Sequence, residues 1–75
     1  MLFLGIDAGT TALKVGLFDE NGIARAIDSE EYSLVTASAD EVEIDPEIYW
    51  EACARVVRRV VTHAHGEEIA ALAVS

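Results

Sequence analysis

The sequence has little cysteine, little proline and few basic residues. Cys53 is the only cysteine among 75 residues, so no internal disulfide can form, and we expect a cytoplasmic protein. Five lysine and arginine residues against 14 acidic residues give a net charge of -9. Because this charge repels nucleic acid and anionic membrane surfaces, we expect neither of them as a partner.

The sequence also lacks a basic leader and any long apolar run. The apolar start at residues 1–6 has no basic residues before it, and Asp7 interrupts it, which argues against a signal peptide. No run approaches the roughly 20 apolar residues that a membrane-spanning helix needs. With 52% hydrophobic and 25% charged residues, the composition is that of one small globular domain.

The first half of the chain predicts three antiparallel strands. Apolar runs at residues 2–7 and 13–19 predict two strands, the first buried on both faces, and a third strand follows at about 23–32. Asn21-Gly22 predicts a type I′ hairpin turn, because both residues tolerate positive φ values. Residues 33–44 have no clean period and predict a surface loop.

The second half predicts a helix and a returning strand. Asp45 is a good N-cap before Pro46, and apolar residues three and four apart predict a helix as far as about Ala64. Gly66 predicts the stop after it. The apolar run 69–74 predicts a buried strand, which a crossover helix sets parallel to the first strand on the side away from the hairpin.

Several reactive side chains of the predicted helix have structural interpretations. Glu51 and Arg55 lie four residues apart and are expected to pair. Cys53 falls on the apolar stripe and is interpreted as a core residue rather than a nucleophile. His63 and His65 lie two residues apart at a fraying helix end, which makes a poor zinc site. The arginines of the helix, at positions 55, 58 and 59, are interpreted as a solvated face.

The stretch Asp7-Ala8-Gly9-Thr10-Thr11 lies in a tight turn between the first two predicted strands. Main-chain N–H groups and hydroxyls in such a turn can face an anion, glycine permits close approach, and a carboxylate can hold hydrated Mg²⁺ against phosphates. Lys14 adds a cation a few residues later. An ordinary turn and a solvent-directed lysine remain alternatives, but a carboxylate closing a buried strand is costly and favours a functional interpretation.

Two blocks carry a resemblance to known proteins. Asp7-Ala8-Gly9-Thr10-Thr11 resembles the first phosphate motif of the sugar kinase, actin and heat-shock chaperone superfamily. Glu43-Ile44-Asp45-Pro46-Glu47-Ile48-Tyr49-Trp50 resembles the Glu-Gln-Asp-Pro-x-x-Trp-Trp block of FGGY carbohydrate kinases, which neither actin nor the chaperone ATPases carry. Ile44 and Tyr49 depart from that block. Lys14 is more similar to the xylulokinase type, since glycerol kinases usually have arginine there.

The resemblance implies an α/β fold, a ribonuclease H-like half-domain of order βββαβ, with residues 1–75 as the start of an FGGY N-terminal domain. It implies an ATP-dependent kinase that transfers the γ-phosphoryl group to a sugar or polyol hydroxyl. Asp7 would help to bind Mg²⁺, and Gly9, Thr10, Thr11 and Lys14 would face the phosphates of ATP. The aspartate that serves as catalytic base in this family is not in this chain, so no catalytic residue is expected here.

The apolar run 69–74 is followed only by Ser75, and we interpret the chain as the opening part of a longer protein or as a truncated product. We therefore expect the 75 residues alone to be inactive, and the parent protein to bind a small sugar or polyol and to be compatible with a homo-oligomer. The alternative function is a nucleotide-binding module, or an inactive fragment, of the same fold without transferase activity.

Overall fold

In the part of the chain that the structure describes, one helix packs on a four-stranded sheet, and two short strands form a second sheet. The computed structural model describes residues 1–32, 35–38, 41–43 and 46–75. Their order is β1 (Leu2–Ala8), β2 (Ala12–Asp19), β3 (Ala24–Glu31), β4 (Val35–Ser38), β5 (Glu41–Glu43), α1 (Pro46–Val61), a 3-10 turn (Thr62–Ala64) and β6 (Ile69–Val74). The strands of the main sheet lie in the order β3-β2-β1-β6.

The pairing confirms the predicted topology of the main sheet. β1 and β2 pair antiparallel, as do β2 and β3, whereas β6 lies parallel to β1 on the side away from the hairpin. The connection through α1 therefore returns the chain to the sheet as a crossover, as the sequence of elements predicted.

The hydrophobic core lies between α1 and one face of the sheet. Alternate residues of each strand point to that face, and they are fully or almost fully buried: Leu2, Leu4, Ile6, Leu13, Val15 and Leu17. The helix contributes Ala52, Val56, Val60 and, just beyond its end, Ala64. Burying each large side chain of this set contributes about 1.5–3 kcal/mol relative to leaving it in water.

Burial of the strands differs from the prediction. β1 is buried on the helix face only, because Phe3 and Gly5 on its other face are partly exposed. β6 is exposed along its whole length, so the prediction of a buried strand at 69–74 is wrong for this chain. The reason is the position of α1, which packs against β2 and β3 and leaves β6 uncovered.

Ion pairs join α1 to the edge strand β3. Arg55 binds Glu30 with an N–O distance of 2.9 Å, and Arg59 binds Asp28 at 2.6 Å. Both arginines are exposed, which agrees with the predicted solvated face, but Arg55 forms its ion pair with Glu30 and not with the predicted Glu51. Alternate residues of β3 point toward the helix, which brings their carboxylates within reach of the arginines.

The hairpin between β2 and β3 is built differently from the type I′ turn that was predicted. Gly22 has a φ of 79°, but Asn21 is not among the described residues with positive φ. The Asp19 carboxylate accepts hydrogen bonds from the main-chain N–H groups of Asn21 and Ile23, at 2.9 and 3.0 Å. This local bonding by an aspartate side chain fixes the turn with a single positive-φ residue.

The predicted surface loop at 33–44 contains a small antiparallel pair, β4 with β5, which was not predicted. The predicted N-cap, Asp45, lies outside the described residues. At its C-terminal end, α1 continues into the 3-10 turn. His65 and Gly66 have positive φ and end the helical segment, which confirms the predicted stop at Gly66. In the described chain no helix has the length and hydropathy needed to cross a membrane.

Candidate functional site

The turn between β1 and β2 is tight and open to solvent. The Gly9 N–H donates a hydrogen bond to the carbonyl oxygen of Ala12 at 2.9 Å, which closes the turn. A Cβ atom at Gly9 would lie 3.1 Å from that same oxygen, so glycine permits this closure without displacing the chain. Thr10 and Thr11 are exposed at its tip. The predicted turn is thus present, with its hydroxyl-bearing residues accessible.

Asp7 and Lys14 stand next to each other across this turn. The β1–β2 register pairs them directly, and residues directly opposite in an antiparallel pair share one face of the sheet. Both side chains are exposed on the face away from α1. The structure therefore brings together the two charged residues that the sequence singled out.

The exposure of Asp7 corrects one step of the sequence argument. Its carboxylate was expected to close a strand buried on both faces, where an unpaired charge would be costly. In the structure Asp7 is accessible to water, so no cost of burial singles it out. What distinguishes it is its position: it is the acid that adjoins both the turn and Lys14.

Two neighbouring segments hold the turn in place. The Tyr32 N–H, at the end of β3, donates to the Thr11 carbonyl at 3.0 Å. On the other side, the Ala8 N–H donates to the carbonyl of Ser75 at 3.0 Å, and the Ser75 N–H donates to the Ile6 carbonyl at 2.9 Å. Ser75 therefore lies beside the site. Sequence reasoning missed it, although the predicted parallel pairing of 69–74 with β1 could have placed it there.

Tyr32 is a second residue that sequence reasoning missed. Its side chain is buried, and its ring contacts that of Tyr49 edge-on, with 4.6 Å between the centroids. The hydroxyl has no hydrogen-bond partner in the described part of the chain. Burial first, and then the nearby Tyr49, Cys53 and Asp7, raise the pKa of Tyr32. The phenol therefore remains a neutral donor at physiological pH.

A groove of about 360 Å³ extends from the turn over the sheet face opposite α1. Asp7, Lys14 and Ser75 line its end near the turn, and Gly5, Gly16, Phe18 and Ile27 line its apolar part. A Cβ at Gly16 would lie 2.6 Å from the Phe18 ring. The ring can occupy this position only because position 16 has no side chain.

The donor set at the turn fits a hydrated Mg²⁺ carried by a phosphate better than a protein-enclosed metal. Among the described residues no three histidine, cysteine, aspartate or glutamate side chains are grouped as metal ligands. Mg²⁺ usually keeps several waters and is bound through one or two carboxylates together with substrate phosphates. A single accessible carboxylate beside exposed hydroxyls and an ammonium group meets that description.

Cys53 packs against the core, which confirms the predicted structural interpretation of its environment. His63 and His65 are both exposed, with 6.4 Å between their ring centroids. Both histidines lie beyond the last residue of α1, far along the helix from Tyr49 and the turn. Neither Cys53 nor the two histidines lie at the turn.

Comparison with known proteins gives matches along nearly the whole chain. The model of the N-terminal domain of the FGGY family of carbohydrate kinases matches residues 2–75. A glycerol kinase from Paraburkholderia phymatum is 35% identical over 74 residues, which are 96% of this chain and 15% of that protein. A probable L-xylulose kinase from Haemophilus influenzae is 30% identical over 59 residues, or 79% of this chain and 12% of that protein.

Solved structures show the same arrangement of strands and helix. The gluconate kinase of Lactobacillus acidophilus superposes with a TM-score of 0.91 at 34% identity, covering 99% of this chain and 15% of that one. A ligand-bound xylulose kinase from the same organism gives the same values. These neighbours confirm the predicted sugar-kinase fold class. The chain spans only 12 to 15% of the length of these relatives.

Proposed function

Since the chain belongs to the FGGY family of carbohydrate kinases, we propose that it forms the phosphate-binding end of an ATP-dependent kinase for a sugar or polyol hydroxyl. The observation that carries this proposal is the placement of Asp7 directly opposite Lys14 at an exposed, glycine-closed turn. A carboxylate, an ammonium group, two hydroxyls and main-chain N–H groups then lie at one end of the sheet.

The turn itself would bind the phosphate oxygens. Exposed N–H groups of a tight turn form a concave site for anions, and Gly9 keeps that site free of side-chain atoms. The hydroxyls of Thr10 and Thr11 would donate further hydrogen bonds. Lys14 would act as a point charge on the β- or γ-phosphate. In phosphoryl transfer most of the catalytic effect comes from such positioning and charge stabilisation.

Asp7 would hold the metal through its hydration water. Mg²⁺, when bound, neutralises charge that develops on the phosphoryl oxygens. The direct cross-strand neighbour Lys14 limits the negative charge that Asp7 presents, which suits a cation shared with phosphates more than one bound tightly by protein alone. Neither residue would take the proton from the sugar hydroxyl, because that role would belong to an aspartate elsewhere in a longer protein.

A chimera tests this proposal in a protein that has all the parts of a kinase. The 75 residues replace the matching segment of the L. acidophilus gluconate kinase, and gluconate-dependent ADP formation is measured. Asp7→Asn should lower kcat/KM by about 10²- to 10³-fold, the usual effect of removing one preorganised charge contact. Asp19→Asn makes the same chemical change at the far end of β2 and should leave the rate unchanged.

Two outcomes would contradict the proposal. If Asp7→Asn retained nearly the rate of the unsubstituted chimera, the carboxylate would have no part in holding the metal. If the chimera bound ATP with Mg²⁺ dependence but showed no turnover, while the parent gluconate kinase remained active, the alternative of a nucleotide-binding module without transferase activity would be favoured. Thermal unfolding of each variant separates loss of activity from loss of folding.

A further inference from the structure

A row of four polar residues crosses the whole sheet at the candidate site. The strand register places Ser29 of β3 opposite Lys14 of β2, and Lys14 opposite Asp7 of β1. The fourth residue is Ser75, directly after β6. Its main-chain N–H and carbonyl bond the two residues on either side of Asp7, and in a parallel pair a residue bonded in this way lies opposite the residue between them. Ser75 is therefore the second cross-strand neighbour of Asp7.

The side chains of this row share the face of the sheet that is turned away from α1. Side chains alternate along a strand, and Ile6 is buried on the helix face, so Asp7 points to the opposite face. Lys14 and Ser75 flank it there from the two neighbouring strands, each about 4.8 Å away. All three residues are exposed and line the same end of the groove. A ligand at Asp7 is thus within reach of both flanking side chains.

The two neighbours of Asp7 differ in charge, which gives the carboxylate two unlike sides. The Lys14 ammonium group attracts phosphate and repels a cation. The Ser75 hydroxyl is neutral, and its lone pairs can accept a hydrogen bond from water. A cation held by Asp7 is therefore favoured on the Ser75 side and disfavoured on the Lys14 side.

A hydroxyl beside a carboxylate is a donor set that suits Mg²⁺. This ion prefers oxygen ligands and keeps several of its waters, and in P-loop NTPases a serine or threonine hydroxyl and an aspartate hold it together. The structural part that Ser75 plays does not use its hydroxyl, because both bonds that fix it to β1 come from its main chain. Anchoring of the turn and contact with a ligand are thus separable functions of this residue.

We propose that the Ser75 hydroxyl is a further part of the metal site, where it would accept a hydrogen bond from a hydration water of the Mg²⁺ held by Asp7. This leaves the Lys14 side of the carboxylate to the phosphates. The inference rests on the proposed function, because it assigns a second residue to the metal named there. Ser29, at the other end of the row, lies beyond Lys14 and about 10 Å from Asp7, so it has no part in the site.

The test measures metal binding and needs no turnover. The probe is the Mn²⁺ complex of β,γ-imido-ATP, and its dissociation from the gluconate kinase chimera is followed by water-proton relaxation. Ser75→Ala keeps the main-chain bonds and should weaken binding about tenfold, since removing a group that supports a metal's own ligands typically costs about 10- to 100-fold in affinity. Ser75→Thr keeps the hydroxyl and should bind the probe nearly as tightly as the unsubstituted chimera.

Two further variants are measured in parallel. Ser29→Ala removes the same hydroxyl from the other end of the row and should leave the affinity unchanged. Asp7→Asn tests the proposed function itself and should weaken binding at least as much as Ser75→Ala. A second readout is the Mg²⁺ concentration for half-maximal ADP formation, which Ser75→Ala should raise about tenfold with little change in the rate at saturating Mg²⁺.

Three results would overturn the inference. If Asp7→Asn weakened binding and Ser75→Ala did not, the hydroxyl would have no part in the metal site, and the proposed function would stand. Equal losses in Ser75→Ala and Ser29→Ala would show that the place beside Asp7 is not the cause. If none of the three variants weakened binding, the inference and the metal role of Asp7 would both fail. Thermal unfolding of each variant separates loss of binding from loss of folding.

Discussion

One edge of the main sheet is protected against further strand pairing, and the other edge is not. The β3 edge carries charged side chains, and Arg55 and Arg59 of the helix bind Glu30 and Asp28 across it. The β6 edge consists of six uncharged residues, all exposed. Charged side chains discourage further strand pairing at an edge, whereas an uncharged apolar edge favours it. The sheet is thus closed on the β3 side and open on the β6 side.

We call the part of the sheet that ends at β3 the closed half and the part that ends at β6 the open half. The candidate site, at the turn between β1 and β2, lies between the two. The turn that carries Gly9 and the threonines is held from the closed half by the bond between Tyr32 and Thr11, and from the open half by the bonds between Ser75, Ile6 and Ala8. One anchor is therefore part of a packed core, and the other is part of an uncovered strand. The turn is therefore anchored by main-chain hydrogen bonds on both sides.

The largest effect should come from truncating a leucine in the closed half. Leu17 in β2 is completely buried, so Leu17→Ala should lower the free energy of unfolding by about 2–5 kcal/mol. That is a large share of the stability of a domain of this size. Urea denaturation followed by far-ultraviolet circular dichroism measures the change.

Leu72→Ala is the matched control in the open half. The side chain removed is the same, but it is 59% exposed, and exposed substitutions usually change stability by no more than about 0.5 kcal/mol. If the two variants lost similar stability, β6 would be covered in solution, and the contrast between the halves would not hold.

A smaller effect is expected where the two halves meet on the face opposite α1. A methyl group at Gly16 would lie 2.6 Å from the Phe18 ring, whereas one at Gly5 would lie 3.7 Å away, an ordinary contact. Gly16→Ala should therefore destabilise the chain by about 1–3 kcal/mol through overpacking. Gly5→Ala should be close to neutral. The midpoints of urea denaturation for the two variants give the comparison.

Phe18→Leu provides the check on that explanation. Combined with Gly16→Ala, it should recover most of the lost stability, because the smaller side chain removes the clash while retaining an apolar contact. A double variant no more stable than Gly16→Ala alone would show that a clash with the Phe18 ring is not the cause of the lost stability.

Local patterns in the sequence were sufficient for most of the fold. The turn at Asp7 to Thr11, the helix that begins at Pro46, its stop at Gly66 and the parallel return of β6 each depend on residues close in sequence or on a general rule for crossovers. The proximity of Asp7 to Lys14 follows from the same hairpin. These parts of the architecture and of the candidate site were therefore predictable.

Contacts between distant segments were not predictable in the same way. The bond between Arg55 and Glu30 joins residues 25 positions apart, and the choice of Glu30 over the nearby Glu51 depends on how α1 lies over β3. Tyr32 and Ser75 reach the turn through the ends of two other strands. The exposure of β6 depends on which strands the helix covers. Periodicity alone gives none of these, because it describes one segment at a time.

The smallest effect concerns acid stability at the closed edge. The hydrogen bond from Arg55 lowers the pKa of Glu30, whose ordinary value is 4.5, and the bond from Arg59 lowers the pKa of Asp28. A lowered pKa in the folded state stabilises the fold above the ordinary value, and this contribution is lost as the pH falls through the folded value. Glu30→Gln should thus lower stability at pH 7 and have less effect in acid, once the pH has fallen below the lowered pKa of Glu30 and the carboxylate is protonated.

Glu31→Gln supplies the control for this pH dependence, since the neighbouring side chain points away from the helix and is exposed. Urea denaturation of both variants and of the unsubstituted chain at pH 7 and pH 3 measures the difference. A Glu30→Gln variant that lost as much stability between the two pH values as the unsubstituted chain would show that the ion pairs do not stabilise the closed edge. The helix would then be held over β2 and β3 by its apolar contacts alone, and the contrast between the two edges would be one of burial and not of charge.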